Sequence, residues 1–211
     1  LLIAAMLLMI PIAFAPIWYG SGDDTGLVGR WSCEGNFKDS SGSGNHGTQS
    51  GGVTITTGIK GRGCGFDGVN DYINVGSAAS LDFNSNITMC AWIKIKAANV
   101  IKEIMRKEDG SKRILLSLQT SADCEGTPAE GCIAVGLYAG SYYELEMNIT
   151  SAGFTDKWKH VCAGYNSNGT GRFIYFDGVL QRTDGDTDVL DAQGVESLFI
   201  GSAAGTGEFF N

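Results

Sequence analysis

An antiparallel β-sandwich is the fold class that this 211-residue sequence predicts, and three observations carry it. Glycine is abundant at 31 residues, proline is scarce at 3, and only 18% of the residues are charged. That composition suits many short strands joined by tight turns better than helices or a disordered tail. Turn signals recur roughly every eight to twelve residues between runs rich in Val, Ile, Thr, Tyr, Phe and Trp. No internal repeat of solenoid or propeller period is visible. A chain of this length fits one sandwich domain with an appendage.

The appendage is Leu1–Tyr19, LLIAAMLLMIPIAFAPIWY, which carries no charge. It is long enough to cross a bilayer as a helix, with Trp18 and Tyr19 where interfacial aromatics sit. Ala13-Phe14-Ala15 has the small-x-small form of a secretory cleavage site, but Pro16 directly after it would hinder cleavage. The alternatives are a retained membrane anchor and a pilin-like helix packed into a filament core. Each places the rest of the protein outside the cytoplasm. The chain starts without Met, so the expectation is that it is a fragment. Gly20–Gly26 (GSGDDTG) has linker composition, and the sandwich is expected over 27–211.

The elements follow in order. Leu27–Glu34 (LVGRWSCE) reads as an imperfectly alternating opening strand, and Val53–Thr57 as the next. In Gly61–Val75 (GRGCGFDGVNDYINV), strand formers are broken by Asp67-Gly68 and Asn70-Asp71, residues that tolerate positive φ, so a strand–turn–strand hairpin is expected. Further strands are expected at Ile87–Ile95, Lys112–Gln119, Cys132–Tyr138, Tyr142–Met147, Trp158–Tyr165 and Arg172–Phe176. Asp177-Gly178 then makes a hairpin turn into Val179–Gln181. Ala97–Lys107 is the one stretch compatible with a helix, and only weakly so.

Charge and cysteines bound the function. A net charge of −8 argues against nucleic acid and anionic membrane surfaces, which require Lys/Arg clusters. Six cysteines (Cys33, Cys64, Cys90, Cys124, Cys132 and Cys162) behind an export-like segment favour disulfides over metal thiolates. No C-x-x-C pair exists, and the count alone allows fifteen pairings.

Six blocks stand out in register: WSCEGNFKDSSGSGNHG (Trp31–Gly47), the Gly61–Val75 stretch, LDFNSNITMCAWIKI (Leu81–Ile95), DKWKHVCAGYN (Asp156–Asn166), FIYFDGVLQR (Phe173–Arg182) and LFIGSAAGTGEFFN (Leu198–Asn211). In that order the chain from about Leu27 onward resembles the concanavalin A-like lectin/glucanase superfamily, and within it the laminin G-like, pentraxin-like jelly rolls. The resemblance implies a jelly-roll sandwich with Trp31 in its core. It also narrows the disulfides. The opening strand should lie beside the one entering the FDG turn, giving Cys33–Cys64. TMCAW and KHVCAGY should be sheet neighbours, giving Cys90–Cys162. Cys124–Cys132 would clip a short loop. The D-x-SGxGNHG loop resembles a calcium-holding corner, with Asp39 supplying a carboxylate and the backbone around Ser41–Asn45 supplying carbonyls, so a structural Ca2+ ion is expected there. In the family a closing strand follows the GSAAGTGEFFN region, so the domain is expected to lack its last strand.

The remaining chemical signals are weak. Gly42-x-Gly44-x-x-Gly47 matches a dinucleotide fingerprint but has no βαβ context. Asp184-x-Asp186-x-Asp188 lacks the Gly and Glu of an EF-hand, since Val189 and Val195 stand there. Glu144 and Glu146 share a strand face, but the E-x-D-x-x-E strand of the superfamily's glucanases is incomplete, with Glu146 and Ile149 at the decisive positions. His46 and His160 belong to neither an H-E-x-x-H nor a triad pattern. Trp92, Tyr138, Tyr142, Tyr143, Tyr165 and Tyr175 are aromatic candidates, with packing the better reading for each. Asn86, Asn148 and Asn168 begin N-x-T glycosylation sequons. The resulting expectation is an extracellular or cell-surface, non-catalytic recognition or adhesion module for carbohydrate or a surface protein. A filament or surface-layer subunit displaying the sandwich is the alternative, and a glycoside hydrolase ranks third.

Overall fold

The computed structural model describes residues 25–109, 112–186, 188–191 and 194–211. The expectations for Leu1–Tyr19, anchor or filament helix, lie outside them. Among the described residues thirteen strands follow in chain order: β1 (Thr48–Ser50), β2 (Thr54–Thr57), β3 (Arg62–Gly65), β4 (Tyr72–Gly76), β5 (Ile87–Lys94), β6 (Lys102–Asp109), β7 (Lys112–Gln119), β8 (Cys132–Ala139), β9 (Ser141–Asn148), β10 (Trp158–Asn166), β11 (Gly171–Phe176), β12 (Val179–Thr183) and β13 (Leu198–Ile200). They form a seven-stranded sheet ordered β1-β4-β13-β6-β7-β8-β9, a four-stranded sheet ordered β12-β11-β10-β5, and the separate β2-β3 pair. Every strand pairing is antiparallel.

The core lies between the two large sheets. Period-2 alternation sends Ile114, Leu116 and Leu118 of β7 inward, with Ile133, Val135 and Leu137 of β8 beside them. Ile87, Met89 and Ile93 of β5, with Val161, Ala163 and Tyr165 of β10, close it from the four-stranded sheet. A second cluster (Val53, Ile73, Val75, Leu81 and Leu198) gathers under the first part of the chain, and the half-buried Trp31 packs against it.

Two expectations are corrected. The Gly61–Val75 stretch is not a hairpin, because β3 pairs with β2 while β4 pairs with β1 and β13. The FDGVND residues instead make a corner between sheets. Asp71, 2% exposed, accepts the backbone N–H groups of Gly52 and Asp67, and Asp67 Oδ1 accepts those of Val69 and Asn70. These bonds saturate the turn locally, so its two arms are free to join different sheets. Leu27–Glu34 is not a strand. Trp31 makes an isolated bridge with Asp39, and Cys33 sits at φ +56°, which interrupts an extended ladder. Ala97–Lys107, only weakly compatible with a helix from its sequence, is not helical, since its second half opens β6.

Disulfides join Cys33 to Cys64, Cys90 to Cys162 and Cys124 to Cys132, the pairs that the resemblance implied. Cys90 and Cys162 are direct cross-strand partners on β5 and β10. The other two bridges close loops.

Candidate functional site

The face of the seven-stranded sheet that points away from the core holds a groove of about 310 Å³, lined by residues of β6, β7 and β9 and by Asp123 and Glu208 from loops. That volume is at the small end of ligand sites, which run from about 300 Å³ upward.

β7 supplies one wall. Its core alternation leaves Arg113, Leu115, Ser117 and Gln119 on the opposite face, all lining the groove. β9 supplies Glu144, whose two oxygens accept from the Tyr142 hydroxyl and, at 3.0 Å, from Gln119 Nε2. Between these strands β8 places the small residues Ala134 and Gly136 on the same face. Gly136 is required there, because an added Cβ would run into the Tyr142 hydroxyl and ring. Burial and the Glu144 carboxylate both push the Tyr142 phenol up, so it remains a donor.

β6 contributes through an irregularity. Residues three apart on a regular strand face opposite ways, yet Glu103 and Arg106 share this face. The ladder with β7 shifts between Glu103 and Met105, leaving Ile104 as the extra residue, so that Glu103 stands opposite Ser117 and Arg106 opposite Leu115. Arg106 can therefore reach Glu103 Oε1 at 2.6 Å, and its guanidinium also binds Glu108 and, at 2.9 Å, Glu208. Arg113 pairs with Glu108 at 3.2 Å and lies 4.6 Å over the Tyr142 ring.

Two guanidiniums thus face three carboxyls, and the charge balances if one carboxyl keeps its proton. Glu103 is the one, being only 2% exposed. Burial raises its pKa to about 8, Arg106 pulls it back only in part, and Glu208 adds to the rise.

Among the described residues, four buried side-chain polar atoms have no hydrogen-bond partner: Glu103 Oε2, Arg113 Nε, Ser117 Oγ and Thr155 Oγ1. Three of the four belong to residues that line this one groove. Buried polar atoms without partners are costly, about 1–3 kcal/mol each, and their concentration in one place makes this groove the candidate site.

The calcium corner has a different character. Asp39 Oδ1 accepts the N–H groups of Arg30 (2.9 Å) and Ser41 (2.7 Å), while Oδ2 accepts from Ser41 Oγ (2.8 Å) and Asn45 N (3.0 Å). Although burial works the other way, these bonds together hold the carboxyl below its ordinary value. The Asn45 side chain is committed to Val28 O and the Ser80 hydroxyl. A cation at Asp39 would meet four donor hydrogens, so the corner as folded does not fit a metal ion. Among the described residues, two groups bring His, Cys or carboxylate atoms to metal-binding spacing: Cys90, His160 and Cys162, and Cys124, Cys132 and Glu146. In both the sulfurs are joined as disulfides.

Sequence reading singled out Glu144 and Glu146 together, but only Glu144 lines the groove, whereas Glu146 accepts the Glu125 N–H. It missed Glu103, Arg106, Arg113 and Ser117. The available signal was KRILLSLQ, in which polar residues alternate with apolar ones on a strand buried on both faces. Asn86, Asn148 and Asn168 are all exposed. Trp92, 40% exposed, makes a tilted contact with His160 at 5.0 Å between ring centroids, both on the four-stranded sheet, which supplies no groove residue.

Comparisons with known proteins bear on the fold. No curated protein sequence matches the chain. Domain 4 of an extracellular GH43 arabinanase from Geobacillus stearothermophilus, solved in complex with arabinotriose, superposes with a TM-score of 0.62 at 15% identity, covering 87% of this chain and 84% of that one. The receptor-binding domain of the botulinum neurotoxin C/D mosaic serotype gives a TM-score of 0.61 at 18% identity over 77% of this chain and 40% of that one. The serotype G binding domain gives 0.60 at 12%, over 82% and 42%. The family model Laminin_G_3 matches residues 67–211, more than half of the sequence. With the antiparallel two-sheet sandwich, that match shows that the chain belongs to the concanavalin A-like lectin/glucanases superfamily.

Proposed function

We propose that this protein is an extracellular, non-catalytic recognition module whose groove on the seven-stranded sheet binds carbohydrate. One observation carries the reading. Glu103 Oε2, Arg113 Nε and Ser117 Oγ are buried without partners, and their residues line the same groove. A sugar hydroxyl both donates and accepts, so it can complete a mixed set of this kind. The arabinanase domain solved with arabinotriose has the same fold, which supports a sugar over other polar ligands. Three disulfides suit an oxidising, extracellular setting. Against hydrolysis stands the separation of Glu146 from the groove, which leaves the suspected carboxylate pair divided.

The test is calorimetric titration of the full chain, in a detergent without a sugar headgroup, with arabino-, xylo- and gluco-oligosaccharides. Binding is expected, with loss of at least tenfold in affinity in Ser117→Val and no release of reducing sugar. Unaltered binding by Ser117→Val would show that the groove is not the site. The filament reading rests on Leu1–Tyr19 alone, and no observation among the described residues favours it.

A further inference from the structure

We infer that the groove selects uncharged sugars and rejects acidic ones such as uronates, sialosides and sulfated glycans, an inference that rests on the carbohydrate reading above. The lining holds four carboxyl side chains, Glu103, Asp123, Glu144 and Glu208, against two guanidiniums, Arg106 and Arg113. Neither guanidinium offers a free charge. Arg106 is shared among Glu103, Glu108 and Glu208, and Arg113 is paired with Glu108 and stacked over Tyr142. An incoming carboxylate or sulfate would find no unpaired cation and would face Asp123, Glu144 and Glu208 at short range, where repulsion is weakly screened.

Glu103, 2% exposed, and Ser117, 1% exposed, each line the groove with an oxygen that has no partner. A carboxyl and a hydroxyl in such positions, beside the open N–H of Arg113, suit neutral hydroxyls that donate and accept in turn. The chain's net charge of −8 adds a long-range repulsion of acidic ligands.

The experiment is a glycan array probed with the full chain, carrying neutral gluco-, galacto-, xylo- and arabino-oligosaccharides beside uronate, sialylated and sulfated counterparts of matched linkage. Three proteins are compared: the wild type, Ser117→Val (with Ser117→Ala as a second variant should Val disturb folding) and the double variant Asp123→Asn/Glu208→Gln. The expected result has three parts. Neutral members bind at least tenfold more tightly than their acidic counterparts, the Ser117 variants lose binding, and the double variant narrows the gap. Acidic members that bind as well as neutral ones, and that are lost in the Ser117 variants, would overturn the selectivity while leaving the groove as a sugar site. Array binding that ignores the Ser117 variants, or no binding at all, would overturn the carbohydrate reading and this inference with it.

Discussion

Glu103→Gln tests whether this buried carboxyl holds its proton in the folded protein. Its neighbours across the groove are Arg106, Glu108, Glu208 and Arg113, with Glu144 and Tyr142 on β9 and Asp123 from the β7–β8 loop. Burial raises the Glu103 pKa from 4.5 to about 8. Between these values the native state binds a proton that the unfolded chain has released. Stability therefore falls as pH rises through the window, by about 1.4 kcal/mol per unit, and levels off above the folded value. Summed over the window, the loss is on the order of 5 kcal/mol.

Gln keeps the shape and an oxygen for Arg106 but cannot ionise. Urea denaturation of both proteins from pH 5 to pH 9 should give similar stabilities near pH 5. The variant should then gain steadily, until it is more stable than the wild type by several kcal/mol at pH 9. Taking the difference between the two proteins removes the contributions of His160 and Glu146, which are common to both. Two parallel curves, with the variant lower by about 3–5 kcal/mol throughout, would refute the reasoning. They would mean that Glu103 is ionised and forms a true buried ion pair with Arg106.

Two more predictions concern the frame. Replacing Cys90 and Cys162 by Ala opens a crosslink spanning 72 residues and should cost about 4 kcal/mol, against about 2.5 kcal/mol for Cys124 and Cys132, which span 8. Chemical denaturation of the two double variants ranks them, and the reverse order would contradict a chain-entropy origin. Asp39→Ala removes the acceptor of four hydrogen bonds and should cost about 2–4 kcal/mol, while a chelator should leave the melting temperature of the wild type unchanged. A fall of several degrees on chelation would instead restore calcium to that corner.

The sandwich, most strand positions and the locally closed turns are legible in the residues alone. Lys112–Gln119 and Asp177-Gly178 behave as their residues dictate, because alternation and turn chemistry act between near neighbours. The disulfide pairs needed the resemblance as well, since spacing leaves fifteen choices open. The rest depends on pairing between elements far apart in the chain. FDGVND looks like a hairpin turn over six residues, but β3 pairs back with β2 while β4 pairs with β1 and the distant β13, which separates its arms into different sheets. The groove depends on one extra residue, Ile104, that turns Glu103 to the face of Arg106 and Ser117. It also needs Glu208, which lies 102 residues beyond Arg106. A one-residue change of register sends a side chain to the opposite face, and register is set by pairing across the sheet, which local residue preferences do not encode.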